Sequence, residues 1–142
     1  MDKTLENLNQ LLTSGQLDNI ELAFQLAKGL NITEEELLAP WRELIDLCKP
    51  HLGTTGEKET LLVLFTSKKL DLSYATATKL PASISTLKQL ETLSLYGSRI
   101  HSFPTELQQL HKLQKVFLAK TPITIQQIKQ LKTLLPDCEL YF

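Results

Sequence analysis

Between residues 87 and 123 one pattern of apolar positions is written twice. Leu87, Leu90, Leu93, Leu95 and Ile100 recur 23 residues later as Leu110, Leu113, Val116, Leu118 and Ile123. One period earlier, Leu70, Leu72, Leu80, Pro81 and Ile84 fall in the columns of Leu93, Leu95, Phe103, Pro104 and Leu107. A fixed period of this length marks a solenoid, whose stacked units bury one another's apolar faces. Within a unit the spacing changes character. Leu93-Ser94-Leu95 and Val116-Phe117-Leu118 alternate, which predicts short strands with both aliphatics on one face. Behind Pro104, Leu107, Leu110 and Leu113 fall at threes, which predicts a helical or irregular return limb. Each inward leucine contributes roughly 1.5–3 kcal/mol on burial.

The first third of the chain has a helical period instead. Leu5, Leu8, Leu11 and Leu12 share a face that ends near Ser14-Gly15. Ile20, Ala23, Phe24, Ala27 and Leu30 share another, with Asp18 or Asn19 as its expected cap and Asn31 as its terminator. Thr33 and Glu36 have capping-box spacing, and Pro40 suits the first position of a helix that buries Trp41, Leu44, Ile45 and Cys48. Pro50 is expected to end that helix, and Gly53-Thr54-Thr55-Gly56 to form a turn before another helix from Glu57 to about Phe65. Residues 1–56 therefore read as a helical cap over the first repeat. Residues 57–142 read as about three repeats of 22–23 residues, the last closing with a helix over 125–135 and a strand that puts Cys138 in the column of Val116.

Leu90-x-x-Leu93-x-Leu95-x-x-Ser98-x-Ile100 resembles the leucine-rich repeat in its 23-residue form, over about residues 60–142. The lead-in (Leu11-Leu12-Thr13-Ser14-Gly15, then Asn19-Ile20-Glu21-Leu22-Ala23) and the closing repeat are similar to those of small bacterial proteins of this kind. The resemblance implies an α/β solenoid with parallel strands on a concave face, helical or irregular return limbs and an all-α N-terminal cap. It also implies recognition of a protein partner on the concave face. Where the family usually has asparagine this chain has Ser98, with Ala75 and Thr121 in the same column. Buried turn backbone needs a polar partner, so hydroxyls must serve, and a first turn of different shape is expected at Ala75.

Composition adds one asymmetry. The chain has 142 residues, 42% hydrophobic, the make-up of one ordinary globular domain, and a net charge of −1. Residues 1–50 hold nine acids against four bases, and residues 51–142 seven acids against eleven bases. A basic repeat face would suit an acidic partner. The opening Met1-Asp2-Lys3-Thr4-Leu5-Glu6 shows no secretory pattern, and no apolar run approaches the ~20 residues of a membrane span. With Cys48 and Cys138 as two thiols, a reducing, cytoplasmic setting is expected.

Catalytic chemistry finds little footing. His51, His101 and His111 have no cysteine beside them at metal-ligand spacing. Gly53-Thr54-Thr55-Gly56-Glu57-Lys58 has the wrong glycine spacing for a phosphate loop, so no enzyme activity, metal or cofactor is expected. The outward positions carry more. If Leu93 and Leu95 face in, then Thr92, Ser94 and Tyr96 face out, with Lys69, Asp71 and Ser73, then Lys115, Phe117 and Ala119, then Asp137, Glu139 and Tyr141 as their equivalents. Asp71, Ser94, Tyr96, Phe117, Glu139 and Tyr141 are the candidate partner-binding residues. Strands lie ~4.8 Å apart, which brings the three rings into one patch of the kind that marks binding surfaces. A role as accessory domain of an enzyme system, or weak nucleic-acid binding through Lys68, Lys69, Lys115 and Lys120, is the alternative, although no reader motif is present. The last strand offers an edge through which a homodimer could pair.

Overall fold

The computed structural model describes residues 3–142. Four three-residue strands form one parallel sheet in chain order: β1 (Lys69–Asp71), β2 (Thr92–Ser94), β3 (Lys115–Phe117) and β4 (Glu139–Tyr141). Leu70, Leu93 and Val116 are mutual register partners at the strand centres, and all are buried. Parallel neighbours require a crossover, and here it is the return limb. Pro81 and Pro104 enter the first two limbs in extended conformation, followed by short 3₁₀ turns at Ala82–Thr86 and Thr105–Gln109.

The third limb has no such proline and is a true helix, α6 (Ile125–Leu134), as its spacing predicts. Thr124 accepts the Gln127 N–H at 3.2 Å, and the Gln127 side chain accepts the Thr124 N–H at 2.8 Å, a complete capping box. The longer limb moves the last strand. Leu140, not Cys138, pairs with Val116, while Glu139 and Tyr141 pair with Lys115 and Phe117. The expected place of Cys138 is thus corrected by two residues, and Asp137 lies before the strand rather than on its face.

Each of the first three strands leaves through the same turn. The N–H of Ala75 donates to Leu72 at 3.1 Å, that of Ser98 to Leu95 at 3.0 Å and that of Thr121 to Leu118 at 3.3 Å. The third residue of each turn is left-handed: Tyr74 (φ +63°), Gly97 (φ +66°) and Lys120 (φ +59°). Such a position favours glycine, so Tyr74 and Lys120 hold it against their own preference. The first turn therefore has the shape of the others, contrary to the expectation at Ala75. Ala75 is buried, and the end of α4 (Arg42–Leu52) borders the same depression through Leu47, Pro50 and His51. In the other turns the Ser98 hydroxyl accepts the Ile100 N–H at 3.4 Å, and Thr121 Oγ1 donates to the Leu118 carbonyl at 2.6 Å.

The remaining helices precede the sheet: α1 (Lys3–Leu12), α2 (Leu17–Gly29), α3 (Glu34–Leu38) and α5 (Glu57–Thr66). α2 starts earlier than expected, after Gln16, which makes no side-chain cap; Asp18 sits in the first turn, where the helix dipole favours a negative charge. Asn31, left-handed at φ +59°, follows its end, and Thr33 caps α3 by accepting the Glu36 N–H at 3.1 Å. Pro50 does not end α4. It lies within the last turn, where it removes a single helical N–H, and the helix runs on to Leu52 before Gly53 turns left-handed at φ +67°.

One contiguous apolar core runs from Leu8 to Leu135 through helices and repeats alike. Trp41 is a joint between them: its indole N–H donates to Thr86 Oγ1 at 2.9 Å, and its ring meets Phe65 edge-on at 5.4 Å. Arg42 and Glu57 form an ion pair between α4 and α5, which raises the pKa of the arginine and lowers that of the carboxyl.

Candidate functional site: the open face of the sheet

Alternation along the strands sends two residues of each out of the core, and the register stacks them into rows. One row reads Lys69, Thr92, Lys115, Glu139; the next reads Asp71, Ser94, Phe117, Tyr141. Past the strand ends the ladder continues, with the Tyr74 N–H donating to Tyr96 at 2.8 Å and the Gly97 N–H to Ala119 at 2.9 Å. Ser73, Tyr96 and Ala119 occupy this third row by the same period. Four of the sequence candidates thus share one row, Glu139 lies in the row beside it, and Tyr96 lies on the far side.

The middle row is polar at one end and aromatic at the other. The Asp71 carboxylate accepts the Ser73 N–H at 2.9 Å and the Ser73 hydroxyl, and these bonds hold it below the usual carboxylate range. The Ser73 and Ser94 hydroxyls are 3.1 Å apart. At the other end Phe117 and Tyr141 stack, with centroids 4.9 Å apart and planes 16° from parallel. The Tyr141 hydroxyl donates to the Glu139 carboxylate, and this bond, which only the protonated phenol makes, pushes the phenol pKa up.

Tyr96 has a different ring neighbour. Its ring meets Tyr74 edge-on, with centroids 5.6 Å apart at 87°. Lys120 Nζ lies 5.5 Å from the centre of the Tyr96 ring. A hydrogen bond to Tyr96 holds the lysine pKa above its ordinary value, with Coulombic support from Tyr96 and Tyr74. Tyr74 escaped sequence reasoning because it is the turn residue and not a strand residue. The available signal was its spacing, 23 residues before Gly97. Glycine at 97 leaves the space that the Tyr74 ring fills, since a Cβ there would stand 2.7 Å from it.

Elsewhere the chemistry is quiet. Burial pushes the Cys48 thiol up to about 12, and burial with the nearby Glu139 charge pushes Cys138 up to about 11, so both are protonated at neutral pH. His51 lies in α4 and not in a connecting turn. Among the described residues no group of three His, Cys, Asp or Glu side chains could hold a metal ion, and no helix is long and apolar enough to cross a membrane.

A parallel sheet in chain order, with strand, left-handed turn and return limb repeating every 23 residues and once after 24, defines a short leucine-rich-repeat solenoid with helices on its N-terminal side. No protein-family model and no curated protein matches the chain. A solved leucine-rich-repeat protein of Leptospira interrogans is similar to it at 28% identity, over 63% of this chain and 28% of that one, with a TM-score of 0.44. The chain thus spans little more than a quarter of that protein's length.

Proposed function

We propose that the chain is a non-enzymatic interaction module that binds a partner protein on the open face of its sheet. The observation that carries this reading is the Phe117–Tyr141 stack. Two rings stand on a solvent-facing sheet surface, and Tyr141 is 40% exposed. Stacked rings in a half-wet setting provide the large, rigid contact area on which interfaces concentrate their energy. The domain reading that goes with it makes residues 1–56 a helical cap and residues 57–142 the recognition solenoid. Two unpaired cysteines support a reducing, cytoplasmic setting. The test is capture of partners from native cell extract by the wild-type chain and by a Tyr96→Ala, Phe117→Ala, Tyr141→Ala variant. Loss of the captured protein with an unchanged helical circular-dichroism signal supports the face; undiminished capture moves the site elsewhere.

A second reading is favoured by the outer edge of β4, which pairs with no other strand among the described residues and is flanked by Tyr141 and Phe142, the latter 60% exposed. Two copies could pair along these edges and bury both at once. Sedimentation at micromolar concentration tests it: a monomer unaffected by deletion of Tyr141 and Phe142 overturns the pairing.

A further inference from the structure

The basic character of the repeats is stronger than the overall balance suggests. Residues 67–142 carry ten bases and five acids. Of these acids Glu91 is paired with a base, Lys68, at 3.9 Å. On the open face Lys69 and Lys115 stand in one row, and Lys120 stands at the rim beside Tyr96 and Tyr74. This rim cluster is organised at a conformational cost. A tyrosine and a lysine both adopt a left-handed φ, which L side chains disfavour, while 68% of the tyrosine surface faces solvent. The ring gains little by burial there. The conformation sets it edge-on to Tyr96, over the gap that Gly97 leaves, with a lysine held at the other ring. The result is a notch with two phenol hydroxyls, each able to donate, and one ammonium with donors to spare beyond the one it gives Tyr96. Donors of this kind fit a carboxylate.

We propose that Tyr74, Tyr96 and Lys120 form the carboxylate-binding corner of the docking face, and that the occupant is an extended acidic protein segment. One of its carboxylates sits in the notch while an apolar side chain lies against Phe117 and Tyr141. The proposal rests on the docking face described above and adds the chemistry of its partner. The segment runs across the strands, because notch and stack lie on successive strands of the same sheet.

A nucleic-acid strand would also meet bases and rings, but the ring stack opposes it. Phe117 and Tyr141 are closed on each other at 4.9 Å, which leaves no gap for a base between them.

The test is a selection of random twelve-residue peptides, displayed on phage, against the immobilised full chain. The enriched peptides are then measured by fluorescence anisotropy, with a labelled twelve-nucleotide oligothymidine as the nucleic-acid probe. Acidic peptides with one aromatic or large aliphatic residue are expected, and Lys120→Ala and Tyr74→Ala should each weaken them about five- to tenfold. Lys120→Arg, which keeps the charge, should retain most of the affinity. Peptides that ignore Lys120→Ala and Tyr74→Ala but lose affinity with Phe117→Ala leave the docking face standing and overturn the notch. Enrichment of peptides without acidic bias, no enrichment at all, or tighter binding of the oligothymidine than of every selected peptide overturns the proposal as well. Peptides indifferent to all of these variants overturn the docking face with it.

Discussion

In the helical segment over residues 3–66, a side chain finds its neighbours at three- and four-residue spacing along a helix, whereas in the repeats it finds them 23 residues away. Leu93 illustrates the second case. It is 1% exposed and sits in register between Leu70 of the preceding unit and Val116 of the next. Leu22 illustrates the first: on the outer face of α2 it is 42% exposed, while Ala23 beside it is buried. The two regions also differ in charge, the helical one acidic and the repeats basic. The local rule lets a helix tolerate apolar surplus, because only one stripe of it meets the core. In the repeats one residue is wedged between two others in every unit, and a single error spreads along the stack.

The largest expected effect tests this directly. Leu93→Asp should abolish the cooperative thermal transition, since an unpaired charge in the core costs several kcal/mol against a total stability of about 5–15 kcal/mol. Leu22→Asp should leave the melting temperature within a degree or two. Similar melts for the two variants would mean that helices and repeats do not differ in this way.

Gly97 tests whether the repeats depend on their turns as much as on their strands. Alanine there must adopt φ +66° and push aside the Tyr74 ring, which should cost about 1–2 kcal/mol in urea unfolding. Tyr74→Ala made in the same chain should recover part of the loss, because the ring is what the new Cβ meets. Simple addition of the two effects would place the strain in the backbone alone.

Trp41 tests the boundary itself. Removing the indole N–H with Trp41→Phe should cost about 1 kcal/mol and leave the Thr86 hydroxyl without that donor. Thr86→Val in the Trp41→Phe background should then cost less than in the wild type. Full additivity in the double-mutant cycle would show that helices and repeats are joined by apolar packing only.

How far the sequence carried this picture follows from the same difference. Strand centres, return limbs and the open-face rows of the first three units were legible, because a fixed period makes each unit a check on the others. The fourth strand was misplaced where that check failed: α6 adds a residue, and Cys138 is a plausible small apolar stand-in for Val116, although Leu140 takes its place. Pro50 and Gln16 misled for a local reason, since helix ends depend on one or two hydrogen bonds that composition does not fix. At the candidate site, the rows were legible and the ring partners were not. Tyr96 turns to Tyr74 through a left-handed turn that no tyrosine advertises.

The smallest expected effect probes the register of the open face. Ser94 lies directly opposite Asp71 and within hydrogen-bonding distance of Ser73. Ser94→Asp would set two carboxylates across one strand pair, and like charges so placed destabilise by roughly 0.2–1 kcal/mol. Ser94→Lys should be neutral or slightly stabilising by the same geometry. The deficit of Ser94→Asp should shrink with added salt, since the pair is exposed to solvent. Its pH dependence has a definite sign. In the wild type the Asp71 carboxyl is held below its ordinary pKa by Ser73, so it contributes stability that is present above the usual carboxylate range and lost as the pH falls through its folded value. The new carboxylate raises both pKa values, which moves that loss to higher pH. As the two carboxyls take up protons the repulsion disappears, so wild type and Ser94→Asp should converge in stability at acid pH and separate at neutral pH. Equal stability of Ser94→Asp and Ser94→Lys across the whole range would remove Asp71 from the row opposite Ser94.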